Sequence, residues 1–300
     1  MGAPNMQAPI GSTPETGAAA EPVTRFRVAK ALLDDRIAVG GIVLLAIVVI
    51  FAALGPYLSP YKPESISLFD KYQPPSWHHP LGTDFFGRDV MTRLMYGIRI
   101  SFAVALVTES IALTVGVTIG LIGSYYGGAF DDVAMRITDS FLSFPAILLA
   151  LAIMAVRGPG FANLVFALLL KEWTGYARLV RSEVLSIRES EYVLAARASG
   201  TRNRRIMWRH ILPNASGTIV VFATLALPTP ILAEAALSFL GLGLPIDTPS
   251  LGNMINVDHG YMRYAWWAVT FPGLAIALTV LGFNLIGDGL RDALDPRLQT

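Results

Sequence analysis

The 300 residues contain no cysteine, which excludes disulfides, thiolate metal sites and thiol nucleophiles. Charge is scarce: 15% of residues are Asp, Glu, Lys or Arg, against roughly a quarter in soluble domains. No G-x-x-x-x-G-K-[ST] run occurs, so the chain carries no P-loop for ATP hydrolysis. A zincin H-E-x-x-H and a hydrolase nucleophile elbow are also absent, and the chain reads as a non-enzyme. The net charge of +1 gives no electrostatic footprint for nucleic acid.

Apolar residues are plentiful. They make up 53% of the chain, and mean hydropathy is +0.53. That balance describes an all-α, polytopic membrane protein. About 20 mostly apolar residues suffice for a spanning helix. Six stretches qualify: Ile37–Leu58, Ile100–Ser124, Ile137–Val156, Phe161–Val180, Ala215–Leu240 and Trp266–Ile286. The fourth is the weakest, because Lys171 and Glu172 interrupt it. Residues 1–24 are rich in Ala, Pro, Gly and Thr without an apolar core, and read as a disordered tail rather than a signal peptide. Phe26, Ala29, Leu33 and Ile37 then recur at helical spacing among Arg25, Arg27 and Lys30. A helix on the cytoplasmic membrane surface and a plain basic flank to the first span both fit that pattern.

This divides the chain into 1–36 (tail and amphipathic segment), 37–99 (first span and a proline-rich external loop) and 100–300 (a five-helix core). The core contains a polar loop over 181–214. Lys and Arg concentrate on one side of the spans, at Arg25, Arg27, Lys30, Arg36, the arginines between 178 and 209, Arg291 and Arg297. The positive-inside bias therefore puts both termini in the cytoplasm, although Lys62, Lys71, Arg88, Arg93 and Arg99 oppose it.

The most basic stretch is "EYVLAARASGTRNRRIMWRHILPN", Glu191 to Asn214. Ala195 and Ser199 are four apart, as are Ala196 and Gly200, so one helical face carries only small side chains. Gly200 suits the left-handed residue after a helix. A second short helix is expected to end near Ile211, because Pro213 disfavours helix at Leu212. Two readings fit: a surface that another protein approaches closely, or a basic loop that sets topology and binds anionic membrane lipid. Topology alone does not require the small-residue stripe.

The stretch resembles the "E-A-A" loop of ABC-importer permeases: Glu-Ala-Ala, three residues, Gly, nine residues, Ile, one residue, Leu-Pro. It matches at Ala195, Ala196, Gly200, Leu212 and Pro213. It departs at Leu194, where the Glu would stand, and at His210, where the Ile would stand. Glu191, three residues before Leu194, lies on the same helical face. "HPLGTDFFGRDVMTRLMYGIRIS", "GYARLVR", "AEAALSFLGLGLP" and "NLIGDGLRDALDPRL" are similar to the C-type permeases for dipeptides, oligopeptides, nickel and glutathione.

The resemblance implies a type I importer permease fold in a prokaryotic cytoplasmic membrane. It also implies as partners a homologous B-type permease, two ABC ATPases that hold ATP and magnesium, and an extracytoplasmic peptide-binding protein. The expected ATPase-docking surface comprises Glu191, Tyr192, Leu194, Ala195, Ala196, Arg197, Ser199, Gly200, Arg204, Arg205, Leu212 and Pro213. Cargo stays open among di- and oligopeptides, nickel and glutathione. A stand-alone secondary transporter, the rival class, would show inverted repeats and would not need a docking loop.

Three further features stand out. Gly116, Gly120 and Gly123 allow close helix contact, within the subunit or across a dimer. Glu109, Lys171 and Glu172 lie at membrane depth, where charge faces a cavity or a partner, and are expected along the translocation path. Pairing of the fourth-span charges with a neighbouring subunit is the alternative. Glu234 reads as a structural group near a helix end. His78, His79 and Asp84 make a poor metal site and fit an external contact loop better.

Overall fold

The computed structural model describes residues 32–294, and no strand occurs among them. The expected tail lies outside the described region, as does the expected surface helix except for Leu33 and Ile37 of its pattern. So does the Asp-Pro of the last motif.

Eleven α-helices organise the described chain: α1 (Arg36–Leu58), α2 (Val90–Tyr126), α3 (Gly128–Leu142), α4 (Ala146–Arg157), α5 (Phe161–Ile187), α6 (Glu191–Ala198), α7 (Asn203–Ile206), α8 (Leu212–Ala226), α9 (Pro228–Phe239), α10 (Leu251–Asp258) and α11 (Trp266–Leu294). Four helical segments are long and apolar enough to cross a membrane: Arg36–Gly55, Val90–Tyr126, Asn203–Phe239 and Trp266–Leu294. The bent pair α3 and α4 makes a fifth if it counts as one span.

The expected third span, Ile137–Val156, is not one helix. It breaks at Ser143–Pro145, and α3 and α4 meet at 85°. Pro145 lacks an amide hydrogen and pushes Phe144 out of the helical region, which explains the break. The expected fourth span lies within α5, whose 27 residues extend roughly 40 Å and are long enough to cross. Lys171, Glu172, Arg178, Arg181 and Glu183 keep it from being apolar enough to qualify by composition.

Two other boundaries differ from expectation. α2 begins at Val90, ten residues before the expected span, because Asp89 caps it: its carboxylate accepts from the Thr92 amide at 2.7 Å. The boundary placed at 99/100 therefore falls inside a helix. The loop expected over 241–264 contains α10, which Ser250 caps through the Asn253 amide.

The core is built on close helix approach. α2 makes its most extensive contact with α5. A Cβ on Gly116 would collide with the Trp173 carbonyl oxygen and stand 2.5 Å from Tyr176 Cβ. One on Gly120 would stand 2.6 Å from the Ala177 carbonyl oxygen. These glycines face α5 of the same chain. Gly123 instead faces Asp131 on α3, at 3.3 Å. α1 packs on α11 in the same manner, with Gly41 against Leu285 and Gly289 against Ala38.

The long loop between α1 and α2 is pinned by buried polar groups. Arg88 Nε donates to Asp84 Oδ2 at 2.7 Å, and His79 Nδ1 lies 3.0 Å from Asp89 Oδ1. The Phe85 amide donates to Asp258 Oδ1 at 3.0 Å, and Trp267 Nε1 to the Thr83 carbonyl at 3.1 Å. His79 thus ties the loop to the cap of α2, Asp84 braces the loop internally, and the backbone of Phe85 and Thr83 ties it to α10 and α11. Burial and then the neighbouring Asp84 charge push the Asp258 carboxyl up to about 6. Glu234 is fully buried and accepts from the Ser101 and Ser238 hydroxyls, each at 2.8 Å, which ties α9 to α2.

Candidate functional site

The basic stretch folds as two short helices at one end of the bundle. α6 has eight residues, below the roughly 12–15 that sustain an isolated helix in water, so tertiary contacts hold it. Its anchor is Val193, fully buried among Leu121 and Tyr125 of α2, Val180 and Val184 of α5, and Ile206, Met207 and Ile211 beyond the turn. The helix ends in a Schellman arrangement: the Thr201 amide reaches the Ala196 carbonyl at 3.1 Å, and the Gly200 amide reaches that of Arg197 at 3.0 Å. Gly200 has φ +76, the conformation that its lack of a Cβ permits.

With Val193 turned inward, the small-residue face turns outward. Ala195, Ser199 and Gly200 are exposed and Ala196 is half-buried. Glu191, Tyr192, Leu194, Arg197, Arg204 and Arg205 are exposed around them. Leu194 thus offers an apolar side chain on this surface, where the resembled pattern has a carboxylate.

Leu212 and Pro213 fall elsewhere. Leu212 is helical (φ −58, ψ −41) and packs against the same inner cluster. The expected helix end near Ile211 does not occur. A π-helical turn, Met207–Ile211, carries the chain into α8, and the Leu212 amide reaches back five residues to the Met207 carbonyl. Pro213 sits in the first turn of α8, where a missing amide hydrogen costs little.

Several residues that couple this surface to the spans carried little signal in the sequence. Tyr125 donates its hydroxyl to Asn203 Oδ1 at 3.0 Å, and the Arg197 guanidinium lies 5.6 Å from the centroid of its ring. Arg188 Nη1 donates to the Ser124 carbonyl at 2.7 Å. Arg181 grips Asp131 on α3 through Nε and Nη2, at 2.9 and 2.8 Å. These contacts join the ends of α2, α3 and α5 to one another and, through Tyr125, to α6 and α7. Trp208, 54% exposed, adds a large apolar ring near the basic side chains. The only sequence signal for it is a lone Trp in a polar run.

The membrane-depth charges sit on two cavities on either side of α5. One, of about 270 Å³, lies between α4, α5 and α9 and is lined by Lys171 and Glu172 with otherwise mostly apolar residues such as Ile147, Leu168 and Leu232. Lys171 is engaged there: its Nζ donates to the Phe144 carbonyl at 2.8 Å, at the break between α3 and α4. The other cavity, of about 240 Å³, lies between α2, α5 and α8 and includes Glu109 and Tyr176. Tyr176 donates to Glu109 Oε2 at 2.6 Å. Lys171 and Glu172 belong to the first cavity and Glu109 to the second, so the three do not converge on one point. No group of three or more His, Cys, Asp or Glu residues poised for a metal occurs among the described residues.

Residues 91–300 match the family model described as the binding-protein-dependent transport system inner membrane component. The chain belongs to that family. This permease also matches, over residues 25–75, the N-terminal transmembrane domain of oligopeptide transport permease C. It is 44% identical to the dipeptide transport system permease protein DppC of Alkalihalophilus pseudofirmus, over 90% of this chain and 89% of that one. It is 43% identical to the glutathione transport system permease protein GsiD of Pectobacterium atrosepticum, over 88% and 87% respectively. Among solved structures, a chain of the inward-facing MetNI methionine ABC transporter aligns with TM-score 0.56 at 22% identity. That alignment covers 68% of this permease and 98% of that chain, and it shows the shared fold. The permease is therefore a multi-pass inner-membrane component of an ABC importer, and its family consists of transport subunits.

Proposed function

We propose that this permease forms half of the pore of an ATP-driven importer of di- and oligopeptides, with α6 as the helix that receives the ATPase. The observation that carries this reading is the outward small-residue face of α6, seated on α2 and α5 through the buried Val193, with Arg197 beside the Tyr125 ring. A partner seated on that face moves the spans with it. ATP and magnesium belong to two ABC ATPases, a homologous B-type permease completes the pore, and a peptide-binding protein delivers cargo from outside. Coupling requires α6 and its flanks to bind the two ATPase states with different affinity. Both termini lie in the cytoplasm, α5 makes the fourth of six crossings, and its charges face the path rather than lipid. Glu109, Lys171 and Glu172 border that path. The dipeptide permeases among the relatives support peptide cargo. The glutathione permease relative supports glutathione, itself a small peptide, as the second reading.

The test is uptake by the complete complex in proteoliposomes. Labelled dipeptide is expected to accumulate only with ATP and loaded binding protein. Accumulation without ATP, or none of any di- or oligopeptide or of glutathione, overturns the reading.

A further inference from the structure

The cavity between α2, α5 and α8 has a composition that selects one ligand chemistry. Its polar lining consists of Glu109, Ser110, Tyr176 and Thr224, set among apolar residues such as Leu106 and Ile219. This is the usual make-up of a small-molecule pocket: apolar walls with a few convergent polar groups. The Tyr176 hydroxyl proton is committed to Glu109 Oε2, and that of Thr224 to the Val220 carbonyl at 3.0 Å. Both side chains therefore offer oxygen lone pairs. No Lys, Arg or His lines the cavity.

Glu109 itself is 5% exposed, and its Oε1 has no hydrogen-bond partner among the described residues. A buried carboxyl oxygen without a partner is costly at membrane depth; it is closed to water in this conformation, and a cationic donor admitted to it as the helices move would relieve it. Beside the cavity, Ser110, Thr114 and Thr118 form an exposed hydroxyl stripe along α2 at four-residue spacing. Thr114 and Thr118 turn their hydroxyls back to the carbonyls of Ser110 and Thr114, at 2.8 and 2.6 Å, and small hydroxyl residues of this kind are favoured where helices meet in a membrane.

We propose that this cavity is a subsite for the ammonium end of a peptide in transit, with Glu109 as its counter-charge. The proposal rests on the peptide reading above and adds a place where one end of the cargo is held. Glu172, one turn from Tyr176 on α5 and inside the neighbouring cavity, adds a second carboxylate near the route. Lys171 is turned to the Phe144 carbonyl, which leaves it poorly placed to repel the ammonium.

Because the chain lacks cysteine, Ser110→Cys introduces the only thiol into this subunit, at the cavity wall. The complete complex carrying it is labelled with 2-aminoethyl methanethiosulfonate, which bears a primary ammonium, and with neutral methyl methanethiosulfonate. Intact mass of this chain reports each rate, normalised to the same reagents on free cysteine. The ammonium reagent is expected to be favoured about tenfold or more. Adding Glu109→Gln should bring the ratio within about threefold of unity, whereas Glu109→Asp should retain most of the preference. Equal normalised rates, or a preference that survives Glu109→Gln, overturn the subsite. Equal rates are also what a cationic side chain from the second permease lying over Glu109 would produce. The labelling ratio does not depend on transport, so failed peptide uptake by the wild-type complex would overturn the cargo reading separately.

Discussion

Val193 is the one fully buried side chain of α6, and Val193→Ala perturbs the docking of that helix directly. The side chain is fully buried among residues of α2, α5 and the π-helical turn. Truncation removes two methyl groups, each worth about 0.8 kcal/mol of burial, and leaves a small cavity, for a total of about 2 kcal/mol. The loss falls locally, because α6 is too short to persist undocked. About 2 kcal/mol lowers the docked-to-undocked ratio roughly 30-fold. Hydrogen exchange measures this directly: amides of residues 194–198 should lose about 30-fold protection, while those of α2 and α5 should not change. In proteoliposomes, ATP hydrolysis should continue while peptide taken up per ATP falls. Wild-type exchange across α6 together with wild-type coupling would refute the claim that this contact transmits force.

Gly116→Val should part α2 from α5, since the neighbouring Trp173 carbonyl cannot move aside as a side chain end could; a cost of 1–3 kcal/mol or more is expected as a lowered Tm in detergent. The Asp258 carboxyl, raised from 3.8 to about 6, favours the folded loop in its protonated form, so the loop's anchoring is strongest below about pH 4 and weakens as pH rises through 6. Exchange of the Phe85 amide, corrected for intrinsic rate, should follow that course, and Asp258→Asn should flatten it. Lys171→Met should loosen the break at Phe144 and slow uptake several-fold, and Glu172→Gln should do so through the cavity wall; unchanged uptake in both removes them from the path.

The sequence made some features plain and concealed others, for physical reasons. Small residues at four-residue spacing and the glycine after them specified α6, its outward face and its cap, because both depend on local geometry. Pro213 misled, because proline is excluded only from a helix interior; a π-turn just ahead converts its position into the first turn of α8. Pro145 broke a span that hydropathy counted as continuous, since hydropathy does not register backbone geometry. Lys171 stood out as a membrane-depth charge, but its engagement with the Phe144 carbonyl depends on two helices meeting, which no spacing along the chain reveals. The clamp of Tyr125 on Asn203 joins residues 78 positions apart and was hidden for the same reason.

Close seating of an ATPase on the small-residue face of α6 is tested at Gly200. Nothing lies within 4 Å of where its Cβ would stand, and its φ of +76 strains any replacement. Gly200→Ala and Gly200→Trp therefore share the strain and differ in bulk. Each tagged variant is co-purified with its neighbouring subunits in mild detergent, and ATPase retention is quantified by mass spectrometry. Both variants are expected to insert and keep the second permease, Ala to retain most of the ATPase, and Trp to lose it at least tenfold. ATPase retention by Gly200→Trp at the level of Gly200→Ala would contradict close docking on α6.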